Sequence, residues 1–175
     1  MTDEPRLSDG SAPATPEALF ERFEELGIET RTVEHPPVFT VEESQQLRGQ
    51  LPGGHCKNLF LRDKKGRMWL IVCAEDTAVD LKALGRQLGG RLSFGSPRRL
   101  MENLGVIPGA VTPFAIVNDR DGAVEVVIER QLADLPLLNF HPLDNGRTTA
   151  IATDDLLRFL EADDHAARLL ELPKR

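Results

Sequence analysis

Apolar residues at Leu19, Phe23 and Leu26 recur at helical spacing behind Thr15-Pro16, a hydroxyl N-cap followed by proline at the first helical position. The pattern stops at Gly27 and predicts a first helix of about three turns. Residues 28–34 are rich in β-branched side chains and run into His35-Pro36-Pro37, which predicts a strand followed by a rigid extended turn. Thr40-Val41-Glu42-Glu43 has the form of a capping box, so a short helix is expected up to Leu47. The apolar-rich runs 57–63 and 67–74 flank Lys64-Lys65-Gly66 and read as a β-hairpin. Leu81, Leu84 and Leu88 line one face of a helix over 80–88 that stops at Gly89-Gly90. Ser96-Pro97 opens another, with Leu100 and Leu104 as its apolar stripe up to Gly105. Residues 114–118 and 123–129 flank Asp119-Arg120-Asp121-Gly122 and read as a second hairpin. Residues 147–152 are expected as a last strand, and Thr153-Asp154-Asp155 as the cap of a helix carrying Leu156, Leu157 and Leu160. Hairpins outnumber strict βαβ crossovers, so the expected fold class is α/β in the α+β sense: a mixed, largely antiparallel central sheet flanked by helices.

A chain of 175 residues supports one domain with a substantial core. Residues 1–14 lack the apolar and basic segments of a secretory signal and are rich in Asp, Ser, Gly and Pro. They are expected as a disordered leader, leaving 15–175 as a single domain. Two cysteines and no export signal argue against a disulfide framework and for a cytoplasmic protein. A net charge of -7 excludes extensive coating of nucleic acid, because that requires many neutralised phosphates; a local grip on one end of an RNA stays open, and DNA is not expected. No apolar run approaches the roughly 20 residues that span a bilayer, so no membrane role is expected.

The stretch Gly53-Gly54-His55-Cys56-Lys57-Asn58 brings several chemically capable side chains together. Zinc takes ligands in pairs, and Cys73 stands alone 17 residues on, so His55 and Cys56 are not expected to hold a metal. Neighbours on an extended chain also point to opposite faces, which leaves Cys56 a packed thiol unless His35 or His141 converges on it. Lys57, where a glycine-rich loop enters an apolar strand, is placed to hold a point charge over a cleft, binding a phosphate or polarising a carbonyl, with Asn58 as a second polar group. In the loop 105–113 two prolines impose rigidity and Gly109 admits close backbone approach, so the amides of residues 109–112 are candidates to line a pocket; the competing reading is a plain connection. His141 is either the satisfied histidine of a surface turn or a hydrogen-bond donor to an anion. Arg62, Lys64, Lys65, Arg67, Arg98 and Arg99 are the best candidates for contact with a polyanion.

In chain order, His35-Pro-Pro-Val-Phe-Thr40, Lys57-Asn-Leu-Phe-Leu-Arg-Asp63, Asp80-Leu-Lys82, Arg91-Leu-Ser-Phe94, Leu104-Gly-Val-Ile-Pro-Gly109-Ala-Val-Thr-Pro113, Asn118-Asp119 and His141-Pro142 resemble the YbaK/prolyl-tRNA editing domain family. The resemblance spans residues 16–160 and is nearest to the free-standing ProX-type deacylases of alanyl-tRNA(Pro). It implies a mixed sheet with surrounding helices and hydrolysis of the ester joining a mischarged amino acid to the terminal adenosine of tRNA. It further implies no cofactor, no metal and no protein nucleophile, the substrate's ribose hydroxyl helping to activate water. The family's functional lysine falls on Lys57, and its glycine-proline loop on Gly109, Ala110, Val111, Thr112 and Pro113; Asn58, His141, Phe94 and Ser96 are expected beside the substrate. The implied partner is the acceptor end of mischarged tRNA(Pro), with prolyl-tRNA synthetase or an elongation factor as transient partners. His55-Cys56 and Pro97-Arg98-Arg99 depart from the family's usual residues. Competing readings are a cysteinyl-tRNA(Pro) deacylase and a non-catalytic nucleic-acid-binding or regulatory module. The absence of Tyr, the single Trp and the negative net charge weigh against the last.

Overall fold

Thr15 caps the first helix as its hydroxyl predicts: Oγ1 accepts from the Ala18 N–H at 3.1 Å, and α1 (Pro16–Glu25) buries Leu19 and Phe23. The computed structural model describes residues 4–36 and 51–175, so the helix expected over 40–47 lies outside the described residues. The elements that follow are β1 (Thr30–Glu34), β2 (Gly54–Arg62), β3 (Met68–Ala74), α2 (Leu81–Leu88), β4 (Ser93–Phe94) and α3 (Pro97–Leu104). After them come β5 (Val124–Glu129), β6 (Leu137–Phe140), β7 (Arg147–Ala152), α4 (Thr153–Ala162) and β8 (Arg168–Leu170). Asp80 and Ser96 cap α2 and α3 through the Ala83 and Arg99 N–H groups, and Gly89 and Gly105 end them in the left-handed conformation.

The strand order is β1-β7-β6-β2-β3-β5-β8, with β4 on β2. β1–β7, β7–β6, β2–β3 and β2–β4 are antiparallel, whereas β6–β2, β3–β5 and β5–β8 are parallel. The expected mixed sheet with flanking helices is thus what forms. Alternation divides its side chains between two cores. Phe60, Leu70 and Val72 join α1, α3 and α4 in the larger, where Phe114 meets Phe23 and Phe159 edge-on with centroids 5.1 and 5.8 Å apart. Leu61, Trp69, Ile71 and Cys73 point the other way and are covered by Leu84 and Leu88 of α2. Over the β1–β7–β6 half, that second face carries a cavity of about 740 Å3 whose lining includes Val33, His35, Asn139, Thr148 and Ala150.

Three expectations change. Residues 114–118 form no strand: Pro113–Asn118 is a 3-10 helix begun by Thr112, whose Oγ1 accepts from the Phe114 N–H. Its run of Phe, Ala and Ile is buried on every side, so it lacks the alternation of a hairpin arm, and β5 instead pairs in parallel with β3 and β8. Thr153 does not cap α4, because its hydroxyl donates to the Leu135 carbonyl. The stretch expected as a disordered leader is anchored at Leu7, Ser8 and Ala14. Leu7 is 5% exposed, the Ser8 N–H bonds the Glu102 carbonyl, and the Ala14 N–H bonds Asn118 Oδ1 at 2.8 Å. One apolar anchor and two long-range hydrogen bonds outweigh its polar composition.

Candidate functional site

β2 pairs with β3 along most of its length, but on its other side it meets β6 only at Gly54 and His55 and β4 only at Leu61 and Arg62. Gly95 lets β4 come this close, because a Cβ there would meet the Phe60 ring. Between the two contacts no strand among the described residues pairs with this edge. Antiparallel pairing alternates inward and outward main-chain groups. Since His55 O accepts from Glu75 N on one side and Phe60 O accepts from Gly95 N on the other, the N–H and C=O of Asn58 face this edge.

Lys57 and Asn58 leave this edge on opposite faces. Asn58 shares the larger core's face with Phe60, and its Nδ2 donates to Val111 O at 3.1 Å, tying the 109–113 loop to β2. Its Oδ1 is buried and receives no hydrogen bond among the described residues. Lys57 lies across from Cys73 on the second face, half-buried, with no carboxylate in ion-pair range among the described residues. Phe94, opposite Leu61, is on the same face and is 61% exposed. The structure therefore joins Asn58 to the loop, while Lys57 and Phe94 share the opposite face of β2 at separate positions along it.

The loop's amides are not a free row as expected. Pro108–Ala110 makes a 3-10 turn in which Ala110 N donates to Ile107 O, and Ala110, Thr112 and Pro113 are buried in the larger core. Gly109 and Val111 stay half-buried at its surface. The exposed Ser96 caps α3, its Oγ accepting from the Arg99 N–H.

His141 follows β6. The β2–β6 register sets Gly54 beside Leu138 and His55 beside Asn139 and ends there, two residues before His141. Its Nδ1 lies 2.8 Å from the Arg147 carbonyl, which only accepts, so Nδ1 carries the proton. Nε2 has no partner among the described residues. Burial, with His35 adding to it, holds the ring's pKa below its ordinary value against the opposing Arg147 carbonyl and Asp144 charge. With Nδ1 given to the Arg147 carbonyl, the ring of His141 has Nε2 left as an acceptor when neutral. His35, 6.0 Å away between ring centroids, bonds Thr148 Oγ1 at 2.7 Å.

His55 and Cys56 separate as strand neighbours do. His55 Nε2 donates to Leu51 O, while Cys56 packs on the larger core. Burial is the main cause pushing the thiols of both Cys56 and Cys73 up to about 12, so neither offers a thiolate at neutral pH. Sequence reasoning passed over Asn139, whose Nδ2 bonds Pro52 O at 2.8 Å, and the turn after His141. There Asp144 Oδ1 and Asn145 Nδ2 are buried without partners among the described residues. Their composition resembles any polar turn, so only the fold reveals them.

The cations also sort themselves. Arg67 is held by Asp63 at 2.6 Å and Gly89 O at 2.7 Å and lies over Trp69, and Arg98 pairs with Glu102. Lys64 and Lys65 remain exposed at the hairpin tip. A groove of about 880 Å3 along α2 is lined by Lys82, Arg86 and Arg91, with no acidic side chain among its described lining residues.

The aminoacyl-tRNA editing domain profile matches residues 35–159. A prolyl-tRNA editing protein ProX of Acetoanaerobium sticklandii is 37% identical over 158 residues, covering 89% of this chain and 96% of that one. A prolyl-tRNA synthetase associated domain-containing protein of Danio rerio is 40% identical over 168 residues, 92% and 91% of the two chains. A crystal structure described as a candidate trans-editing enzyme for prolyl tRNA synthetase superposes with a TM-score of 0.73 at 21% identity, covering 94% of this chain and all of the other, a likeness of fold.

Proposed function

We propose that this chain, which belongs to the aminoacyl-tRNA editing domain family and is an aminoacyl-tRNA deacylase, removes alanine from mischarged tRNA(Pro) by metal-free, substrate-assisted ester hydrolysis. The observation that carries the reading is the buried Asn58 Oδ1, which receives no hydrogen bond among the described residues, on one face of β2 at the stretch between its contacts with β4 and β6, with the Lys57 cation, in no ion pair among the described residues, on the other face. A buried acceptor without a donor costs about 1–3 kcal/mol, which a bound donor relieves. The α-ammonium of an aminoacyl ester is such a donor. Lys57, of the opposite preference, holds the terminal phosphate or the carbonyl oxygen as negative charge grows on it.

Water adds to the ester carbonyl, the bond to the ribose oxygen breaks, and that oxygen takes a proton, giving free amino acid and an intact 3' end. The ester is labile, so orientation and charge stabilisation supply much of the acceleration. Choice of alanine over proline follows from the volume of the aminoacyl pocket, since a pocket excludes larger side chains by contact and separates smaller ones by about 1–3 kcal/mol per methylene. The names of the two relatives support tRNA(Pro) as the carrier. Lys82, Arg86 and Arg91, together with Lys64 and Lys65, grip the acceptor arm in a chain otherwise negative. The reaction belongs in the cytoplasm, where prolyl-tRNA synthetase or an elongation factor meets the same tRNA.

Deacylation of alanyl-, cysteinyl- and prolyl-tRNA(Pro), each with and without EDTA, tests this. The alanyl ester is expected to be cleaved fastest, the prolyl ester spared and the chelator without effect. Preference for the cysteinyl ester would reassign the substrate, and no cleavage of any ester would leave only a binding module. Cys56→Ala is expected to keep the wild-type rate, and iodoacetamide to leave the native enzyme active; inactivation tracking thiol labelling would contradict the inert thiols described above.

A further inference from the structure

We propose that Asp63 and Arg67 are positioning residues for the RNA: they fasten the β2–β3 hairpin tip to the end of α2, so that Lys64 and Lys65 join Lys82, Arg86 and Arg91 in one rigid cradle for the phosphates of the acceptor arm. The inference deepens the tRNA grip described above and rests on that reading. Asp63 is 2% exposed and uses both carboxylate oxygens at the tip. Oδ1 accepts the Lys65 and Arg67 N–H groups at 3.0 and 2.9 Å, which closes the turn, and Oδ2 accepts Arg67 Nε at 2.6 Å. The same guanidinium reaches across to α2, where Nη2 donates to the Gly89 carbonyl at 2.7 Å, and it lies 5.3 Å from the centre of the Trp69 ring. Gly90 is fitted against the pair: a Cβ there would stand 2.8 Å from Asp63 Oδ2 and 2.9 Å from Arg67 Nη2.

The two elements joined in this way carry the exposed cations: Lys64 and Lys65 on the tip, and Lys82, Arg86 and Arg91 along the groove, whose described lining holds no acid. In a chain of net charge -7 this is a local concentration of positive charge, and a polyanion is the occupant it complements. Asp63 cancels the Arg67 charge, so the pair adds no net charge to the cradle and acts through where it holds the other cations. The cradle also lies on the face that carries Lys57. Lys57, Leu59 and Leu61 alternate onto one face of β2, and Leu61 and Cys73 pack there beneath Leu84 and Leu88 of α2. At about 3.3 Å per strand residue, Asp63 stands roughly 20 Å along the chain from Lys57. RNA backbone held in the cradle therefore lies several nucleotides from the ester, and the unpaired 3' end covers the interval.

The test is the Kd of tRNA(Pro) over a salt series, together with single-turnover deacylation of alanyl-tRNA(Pro) at saturating enzyme, each below the variant's thermal midpoint. Asp63→Asn keeps Oδ1 for the two turn amides but sets an amide against Arg67, and Arg67→Lys keeps the charge without the fork that spans Asp63 and Gly89. Each is expected to weaken tRNA binding about tenfold and to lower the slope of log Kd against log salt by about 1.5, as the Lys64→Ala, Lys65→Ala double variant does. The saturating rate is expected to stay within about twofold of wild type. Charge alone predicts the reverse for Asp63→Asn, tighter binding, because a carboxylate is lost. Adding Arg67→Lys to the double variant is expected to cost little more, since the lysines it would misplace are already gone. Unchanged or tighter binding by Asp63→Asn, wild-type binding by Arg67→Lys, or losses that simply add overturns the assignment. So does tRNA binding indifferent to Lys82→Ala with Arg86→Ala, which would give the groove to another partner such as an acidic protein segment. A wild type that binds tRNA(Pro) with these dependences but cleaves no ester overturns the deacylase reading and leaves the cradle standing.

Discussion

Lys57→Ala is expected to slow single-turnover deacylation of alanyl-tRNA(Pro) by about 10²–10³-fold, the usual cost of losing one preorganised group aimed at developing charge. It should do so without lowering the thermal midpoint. No ion pair to Lys57 occurs among the described residues, so the fold loses no charge partner with it, and the Cys73 thiol beside it stays protonated whether or not the cation is present. Lys57→Met keeps the aliphatic stem and should be as slow as alanine. Lys57→Arg should recover little, since a planar fork does not replace a compact ammonium at a strand mouth. Equal melting curves with unequal rates would place the effect in the chemistry. A Lys57→Ala rate within about threefold of wild type would remove the residue from the mechanism.

His165→Ala should cost about 3 kcal/mol of stability, at the lower end for breaking a buried ion pair. His165 and Asp119 side chains are each 4% exposed and meet at 2.9 Å between Nε2 and Oδ2. The other nitrogen, Nδ1, donates to the Asp163 carbonyl at 2.6 Å. A carbonyl and a carboxylate both accept, so both ring nitrogens carry protons and the ring is an imidazolium. Asp119 also receives the Ala123 and Val124 N–H groups, which keeps its carboxylate partly satisfied when the histidine is removed and sets the cost at the lower end. Burial pushes the His165 pKa down, but the bond to Asp119, the Asp163 carbonyl and the two nearby carboxylate charges outweigh it and raise it above 6.5. A raised folded-state pKa means the stabilisation is complete below the unfolded value and is lost as pH rises through the folded one. Urea midpoints of wild type should therefore decline as pH rises above the ordinary histidine value of 6.5, and those of His165→Ala should lack that decline. Parallel curves for the two proteins would show the ring to be neutral.

What could be read from the chain depended on how far each signal reaches. Caps at Thr15 and Ser96 are decided within one turn by a side-chain oxygen and the amide three residues on, and both form as expected; Asp80 caps α2 in the same way. The β2–β3 hairpin is equally local. Residues 114–118 misled because β-branched and aromatic residues suit a strand as well as a buried 3-10 segment, and the deciding fact, burial on every side, belongs to the packed structure. Alternation alone already set Lys57 and Asn58 on opposite faces. The stretch of β2 that carries both, and that no described strand pairs on this side, arises from where β4 and β6 stop, over thirty and eighty residues away in sequence. The acceptor character of His141 turns on a carbonyl six residues later, across a turn whose shape no local pattern announces.

An uncovered strand edge is ordinarily a hazard, because its free amides and carbonyls invite another chain to extend the sheet. Here β6 and β4 occupy both ends of the opening, leaving residues 56–60 between them, and Gly95 already bonds Phe60 O at one end. An intruding strand would have to displace one of those neighbours to lengthen its pairing. The protein can therefore keep main-chain groups that no described strand pairs in the middle of its sheet without becoming a template for fibres.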